Sequence, residues 1–210
     1  AGSPAGAGCE LVNQIIFEVR LPRILLAFLV GASLGISGTA FQALLKNPLV
    51  SPDILGLSSG AAFAAACAVL IPVLPLQPAA FAGGLLAVLL SYFLARNKAG
   101  VSQLALLLSG VIVSGIFTAL LSLVQYAADP FKLGSIVHWT MGNLHNADCQ
   151  KFYSSMAGAL PGIVVLIALR WRLNLLSLGE DEARASGVHV ARERILILIP
   201  AALVASSVVA

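Results

Sequence analysis

The tetrapeptide GISG at Gly35–Gly38 places Ser37 in a small, apolar setting that would suit the nucleophile of an intramembrane serine protease. That chemistry needs a base, normally a histidine, within hydrogen-bond reach of the hydroxyl group. The three histidines, His138, His145 and His189, all lie outside the apolar runs of the chain. The sequence therefore does not support proteolysis, and we expect no catalytic residues and no enzymatic activity in this chain.

Soft metal ligands recur between positions 138 and 149. His138, Met141, His145 and Cys149 are three, four and four positions apart, as on one face of a helix. A glycine and an asparagine interrupt that pattern, the spacing matches no established metal motif, and the three cysteines form no CxxC pair. We therefore expect neither a bound metal nor a cofactor.

Asp, Glu, Lys, Arg and His are missing from the interiors of the apolar runs, whereas proton- and ion-coupled carriers usually place ionisable residues inside the bilayer. The chain also lacks the GxxxxGK pattern followed by Ser or Thr, so it does not bind ATP through a P-loop. If the protein transports a substrate uphill, a partner must supply the energy. An ATP-independent channel or facilitator is the alternative.

The composition is that of a polytopic membrane protein. Of the 210 residues, 59% are hydrophobic and 10% are charged, whereas soluble domains carry about 25% charged residues. The net charge of +3 is small. It suits cationic loops next to anionic lipid and gives no reason to expect nucleic acid as a partner.

The apolar runs predict an all-α, polytopic helical bundle, because a spanning helix needs about 20 apolar residues and helices satisfy their own backbone groups in lipid. The predicted spans are Ile24–Leu45, two helices within Ile54–Ala95 divided at Pro72–Pro78, then Gln103–Ala128, Phe152–Leu169 and the start of a sixth in Ile195–Ala210. The first residues are small and uncharged, and the last lie within an apolar run. We expect residues 1–210 to be a single transmembrane domain truncated at both ends, a fragment with about six spans.

Lysine and arginine residues are distributed unequally between the two sides of these spans. Eight lie on one side: Lys46, Arg96, Lys98, Arg170, Arg172, Arg184, Arg192 and Arg194. Four lie on the other: Arg20, Arg23, Lys132 and Lys151. The positive-inside rule places the first set in the cytoplasm.

Small residues repeat at helical spacing in three of the spans. The repeats are Gly31, Gly35, Gly38 and Gln42 after Ala27, then Gly56, Gly60 and Ala64, and finally Gly110 and Ser114. Such faces let helix backbones approach closely in lipid. For the first face, a second interpretation is that the stripe from Gly31 to Gln42 lines a pathway across the membrane.

The segment Lys46–Asp53 is predicted to be a cytoplasmic turn between two spans. Pro48 and Pro52 disfavour helix at the residues before them. Ser51, Pro52 and Asp53 then have the types expected at the N-cap, the first position and the first turn of a new helix.

The most charged stretch, Leu173–Arg194, is also predicted to be cytoplasmic. Acidic residues at Glu180–Glu182 favour the start of a short helix, and Gly187 favours its end. The stretch is either a solvated loop with a surface helix or a docking helix that transmits movement between subunits.

Several of these segments together resemble one transport family. RLPRILLAFLVGASLGISGTAFQALLKNPLVSPDILGLSSGA (Arg20–Ala61) resembles the signature of the FecCD-type permease subunits of binding-protein-dependent ABC importers for iron-siderophores, haem and cobalamin. LLLSGVIVSG (Leu106–Gly115), WTMGNL (Trp139–Leu144) and LGEDEARASGVHV (Leu178–Val190) match in the same order. The resemblance covers nearly the whole chain.

The resemblance implies a multi-pass protein of the cell inner membrane that works in a complex. A second copy of the permease would pair with it around a central pathway, as a homodimer. Two cytoplasmic ATP-binding subunits would hydrolyse ATP, and a periplasmic or lipid-anchored substrate-binding protein would deliver the ligand. Residues 173–194 would include the segment that couples the ATPases to the permease.

The resemblance also implies roles for individual residues. Asn47 and Leu49 would form the inner gate, with Ser102 and Gln103 as a second layer. The coupling residues would be Leu178, Gly179, Glu180, Asp181, Glu182, Ala183 and Gly187. Arg20 and Arg23 would dock the binding protein through its acidic residues, although interfacial snorkelling also accounts for them. Trp139, Met141 and Gly142 would lie near the pathway mouth, where packing of Trp139 at the membrane interface is an equal account.

Overall fold

The computed structural model of this chain describes residues 12–71, 73–97, 100–142, 144, 147–178 and 189–210. Its main helices are α1 (Leu21–Leu45), α2 (Leu57–Leu70), α3 (Leu76–Ala95), α4 (Gln103–Ala127), α5 (Pro130–Thr140), α6 (Cys149–Ala168), α7 (Arg170–Leu178) and α8 (Val190–Val209). A π-helical segment, Ile15–Arg20, leads directly into α1, and a 3-10 turn, Pro52–Leu55, precedes α2. The short strands β1 (Arg96–Asn97) and β2 (Gly100–Val101) pair antiparallel between α3 and α4.

The predicted all-α membrane bundle is confirmed. Within the described residues, four helical segments are long and apolar enough to cross a membrane: Val12–Leu45, Leu76–Ala95, Gln103–Ala127 and Cys149–Ala168. The apolar α2 is shorter, with 14 residues, and α8 begins with the charged residues Arg192, Glu193 and Arg194. The predicted spans therefore all correspond to helices.

Two differences from the predicted elements have local causes. The first helical segment already includes Val12, the first described residue, and so extends well before the predicted Ile24, because Arg20 and Arg23 interrupt the apolar run without interrupting the helix. The second is α5, in a stretch predicted only as an external connection. The Asp129 carboxylate caps it by accepting hydrogen bonds from the backbone amides of Phe131 and Lys132, at 3.1 and 3.0 Å.

Close backbone contacts at small residues hold the helices together. A Cβ atom added to Gly60 in α2 would lie 2.5 Å from the carbonyl oxygen of Gly83 in α3. In the same way, a Cβ atom on Gly162 in α6 would lie 2.9 Å from the carbonyl oxygen of Pro200 in α8. The tight packing predicted for the Gly60 face is confirmed, and the Gly162 face adds a contact that the sequence did not indicate.

Buried serines add hydrogen bonds between elements. Ser37 Oγ donates to the carbonyl oxygen of Ala201 at 2.8 Å, which ties α1 to α8. Ser91 Oγ donates to the carbonyl oxygen of Leu55 at 2.9 Å, and Ser109 Oγ donates to that of Ser91 at 2.7 Å. Ser37 is thus a packing residue in this fold, with its hydroxyl group engaged by a backbone carbonyl group.

The largest hydrophobic cluster lies at the end of the bundle where α1 ends and α4 and α8 begin. Its fully buried members include Phe41, Leu55, Leu57, Leu106 and Ile197. In lipid these side chains stabilise the fold through van der Waals packing rather than through removal from water. At this end of the bundle, the turns that connect the helices therefore lie next to a tightly packed core.

Candidate functional site

The turn after α1 is closed by its own backbone. Lys46 ends the helix in the left-handed conformation, with φ 48° and ψ 38°. The amide group of Asn47 then donates to the carbonyl oxygen of Gln42 at 3.2 Å, as in a Schellman closure. The chain leaves the helix abruptly, as the two prolines predicted.

The side chain of Asn47 shapes the next residues. Its Oδ1 accepts a hydrogen bond from the amide group of Leu49 at 3.0 Å, an Asx turn. Val50 is buried and anchors the turn, while Gln42 Nε2 donates to the carbonyl oxygen of Val50 at 3.3 Å. The Leu49 side chain, by contrast, is 87% exposed, so the turn presents an apolar side chain away from the core.

The helix predicted to restart at Ser51 is a single 3-10 turn. Ser51 occupies the N-cap position, Pro52 the first position and Asp53 the first turn, as predicted, but the Ser51 side chain makes no cap hydrogen bond. The α-helix proper begins one turn later, at Leu57. The reason is that Gly56 adopts φ 82°, a left-handed conformation that ends the 3-10 turn.

A second turn lies beside the first. Ser102 caps α4, since its Oγ accepts a hydrogen bond from the amide group of Ala105 at 3.1 Å. Gln103 Nε2 reaches the carbonyl oxygen of Leu44 at the end of α1, over 3.4 Å. The structure thus brings together, at one end of the bundle, the two turns that hold Asn47, Leu49, Ser102 and Gln103.

Helix α4 packs against the 3-10 turn Pro52–Leu55 and the following Gly56. A Cβ atom on Gly110 would lie 2.9 Å from Leu55 Cα and closer still to the carbonyl oxygen of Ile54. A Cβ atom on Gly56 would lie 3.3 Å from the amide nitrogen of Ser114. The predicted Gly110 and Ser114 face is therefore confirmed as a packing face, and it packs against the 3-10 turn and Gly56.

The Gly31 to Gln42 face behaves differently from the other two. Within the described residues, a Cβ atom added to Gly31, Gly35 or Gly38 meets no other atom within 4 Å. An open groove of about 350 Å³ follows this face toward the first turn. Its lining includes Gly35, Gly38, Gln42 and the segment Val50–Asp53, but not Gly31.

The segment between α7 and α8 was predicted to couple the protein to a partner. Leu178 is the last residue of α7, whereas Gly179, Glu180, Asp181, Glu182, Ala183 and Gly187 lie outside the described residues. The flanking residues are described, and they are linked to one another. Arg172 forms an ion pair with Glu193, and the neighbouring Arg194 donates to the carbonyl oxygen of Val101.

Comparison with known proteins places the chain in a family. Residues 5–210 match the FecCD transport family. The chain belongs to this family. Together with its apolar helices, this makes the FecCD chain a multi-pass protein of the inner membrane.

Three relatives document the similarity. The FecCD chain is 42% identical to the molybdate import system permease protein MolB of Haemophilus influenzae, over 93% of this chain and 59% of MolB. It is 36% identical to the cobalamin import system permease protein BtuC of Halobacterium salinarum, over 95% of this chain and 55% of BtuC. A solved structure described as an inward-facing conformation of a metal-chelate type ABC transporter matches with a TM-score of 0.85 and 40% identity, covering 95% of this chain and 65% of that one. The chain thus spans a little over half the length of the relatives it matches.

The residues predicted to dock a binding protein lie at the opposite end of α1 from the turn that holds Asn47 and Leu49. Arg20 is exposed at the end of the π-helical segment. Arg23 is half-buried and donates from Nε to the carbonyl oxygen of Leu144 at 3.1 Å. The Arg20 side chain is therefore more exposed to a docking partner than the Arg23 side chain is.

The residues predicted near the pathway mouth, and the potential soft metal ligands, do not form one site among the described residues. Trp139 packs against Ala61, Ala65 and Ala80, which favours the packing interpretation, whereas Met141 is exposed. Gly142, with φ 70°, follows the end of α5, and Cys149 begins α6, so the proposed helical face of soft ligands is broken. His145 lies outside the described residues, and among those that are described no group of His, Cys, Asp or Glu could hold a metal.

Proposed function

We propose that the chain is the major part of the permease subunit of an ATP-driven, binding-protein-dependent importer. Two copies would pair and form the translocation pathway between them. The observation that carries the proposal is the groove beside α1, which reaches Val50–Asp53, directly after the turn that holds Asn47 and Leu49. The second turn, with Ser102 and Gln103, is bonded to the end of the same helix through Gln103. A channel for solute and a means to close it would then lie on one continuous surface.

The gate closes by apolar contact. Leu49 projects from a turn that Asn47, Gln42 and Val50 hold in shape, so its position is set while its side chain stays exposed. Two such leucines, one from each copy, would narrow the pathway and exclude water from it. Ser102 and Gln103 belong to the second layer, since Gln103 links that layer to α1.

Energy comes from a separate ATPase rather than from an ion gradient. The helices α2, α3 and α4 contain no Asp, Glu, Lys, Arg or His, the residues that usually form proton and ion pathways in transporters. Residues 178–187 would contact two cytoplasmic ATP-binding subunits. The permease itself moves the substrate and does not hydrolyse ATP.

The substrate is delivered from outside by a binding protein that contacts Arg20 and Arg23. An iron chelate, haem or cobalamin is the proposed substrate class. The names of the relatives support that range and add molybdate to it. Choice among these ligands rests with the binding protein.

The test is uptake by the full-length permease in proteoliposomes, with its ATPase and binding protein. Ferric siderophore, haemin, cobalamin and molybdate serve as the four probes. ATP should drive accumulation of one of them above its external concentration. Charge reversal at Glu180–Glu182 should abolish both ATPase binding and accumulation.

A matched variant controls for the charge reversal. Arg96→Glu also reverses a charge at an exposed residue on the predicted cytoplasmic side, in β1 and outside residues 178–187 of the chain, and should leave ATPase binding intact. Equilibration of a probe without ATP, and without accumulation, would instead identify a facilitator. Intact ATPase binding after reversal at Glu180–Glu182 would contradict the coupling assignment.

A further inference from the structure

The two sides of the segment between α7 and α8 are joined by one ion pair. Arg172 lies in the first turn of α7, and Glu193 lies in the first turn of α8, 21 positions later. Their side chains pair through Arg172 Nη1 and Glu193 Oε1. The two helices that flank this segment are therefore joined by a charge contact.

The environment of this pair is asymmetric. The Arg172 side chain is 49% exposed, whereas the Glu193 side chain is 7% exposed. The second carboxylate oxygen of Glu193 has no hydrogen-bond partner among the described residues. A buried carboxylate depends strongly on the partner that it has, because an uncompensated buried charge is costly. Glu193 is thus held to Arg172 more firmly than a surface pair would be.

The next residue connects this ion pair to the second turn of the gate. Arg194 is 7% exposed and donates from Nη1 to the carbonyl oxygen of Val101. Val101 directly precedes Ser102, the cap of α4, and Gln103, which bonds to the end of α1. We call Arg172, Glu193, Arg194 and the Val101 carbonyl group the basal clasp.

We infer that the basal clasp transmits movement of the segment between α7 and α8 to the gate. Successive contacts run from Arg172 to Glu193, through the backbone to Arg194, and on to Val101. Displacement of α7 pulls on the start of α8, which carries Val101 with it and shifts the cap of α4. Glu193 and Arg172 are positioning residues in this scheme, and the inference rests on the proposed importer function.

The experiment reports gate movement directly and needs no substrate. The full-length permease, with Cys9→Ser, Cys67→Ser, Cys149→Ser and any cysteine elsewhere replaced, carries Leu49→Cys as a reporter. It is assembled with its ATPase in lipid nanodiscs. The rate at which a polar maleimide labels the reporter is measured without nucleotide and with ATP plus vanadate, alongside the rate of ATP hydrolysis.

In the parent, nucleotide should change the labelling rate. Arg172→Gln and Glu193→Gln should each reduce that change by about tenfold while ATP hydrolysis continues, since each leaves one charge of the pair without its partner. Arg172→Lys, which keeps the charge, should retain the change. So should Arg170→Gln, a matched loss of charge at an exposed residue in the same turn of α7.

Two results would overturn the inference, and they are distinguishable. If Arg172→Gln and Glu193→Gln kept the full nucleotide-dependent change, the clasp would not transmit movement, although the importer function would stand. If the parent itself showed no change, the proposed gate and its coupling to ATP would fail, and the clasp with them. Glu193→Gln removes the buried charge and leaves only the half-exposed Arg172 without its partner, so it tests the inference even if Arg172→Gln, which leaves the buried carboxylate uncompensated, fails to fold.

Discussion

Gln103 and Leu44 are joined by a hydrogen bond of 3.4 Å between the Gln103 side-chain amide group and the Leu44 carbonyl oxygen, 59 positions apart in the chain. That carbonyl group belongs to the last turn of α1, where no intrahelical donor follows it. The bond therefore satisfies a carbonyl group at a helix end and, at the same time, joins the two turns that we propose form the gate.

Replacement of Gln103 by Leu should loosen this spacing. The loss of one hydrogen bond costs about 1 kcal/mol, and the end of α1 gains freedom to move away from α4. We expect faster passive efflux of a trapped probe from proteoliposomes without ATP. Gln125→Leu, at the far end of the same helix, is the control and should leave efflux unchanged. Equal efflux from both variants would contradict the link.

Leu49→Ala should also make the closed pathway leakier. The side chain is 87% exposed, so its removal leaves the fold intact, with a change in stability of no more than about 0.5 kcal/mol. It also removes the apolar group that we propose excludes water from the closed pathway. Efflux without ATP measures the leak. Leu74→Ala, an exposed leucine in the turn between α2 and α3, is the matched control. If leakage does not rise above this control, the turn does not act as a gate.

Gly110→Ala should destabilise the protein, because the added methyl group collides with the backbone at Ile54 and Leu55. Backbone cannot give way as a flexible side chain can, and overpacking of this kind costs about 1–3 kcal/mol. The control is Gly115→Ala on the same helix, where a Cβ atom meets no other described atom within 4 Å. Thermal unfolding of the full-length protein in detergent compares them. Identical midpoints would show that α4 does not support the turn so closely.

Much of this arrangement could be predicted from the sequence, because apolar runs and prolines dominate helix placement in a membrane protein. The ends of α1 at Leu45 and α3 at Ala95 agree with the predicted spans. The helix α5 was missed even though Asp129 followed by Pro130 is a recognisable helix start. Attention to that capping pattern would have found it.

The basal clasp, in contrast, could not be predicted from spacing. Arg172 and Glu193 lie 21 positions apart, and their contact depends on how α7 and α8 approach each other. Arg194 donates to a backbone carbonyl group 93 positions away. Because every residue has such a group, the residue type at position 101 does not indicate the contact. The one available hint was the presence of charges, Glu193 among them, at the start of an otherwise apolar helix, where burial makes a partner necessary.

Arg20→Glu should weaken docking of the binding protein. Arg20 is exposed, and reversal of its charge would repel the acidic residues proposed to meet it, which lowers the association rate by about tenfold at low salt. Binding to the permease in nanodiscs is measured by surface plasmon resonance at two salt concentrations. Arg20→Lys keeps the charge and should bind nearly as the parent does. Unchanged affinity of Arg20→Glu at low salt would leave Arg20 as a membrane anchor only.

Lys46→Gly should stabilise the protein, because Lys46 is held at φ 48°, a conformation that costs a residue with a side chain about 1 kcal/mol and costs glycine almost nothing. The amide of Asn47 would still reach the Gln42 carbonyl group, so the turn keeps its shape. Lys46→Ala separates the two effects of the change, since it removes the same charge but keeps the backbone strain. The free energy of unfolding, measured by titration with guanidinium chloride, should be about 1 kcal/mol higher for Lys46→Gly than for Lys46→Ala. The reverse order would mean that the lysine side chain, rather than the left-handed backbone, determines the stability of this turn.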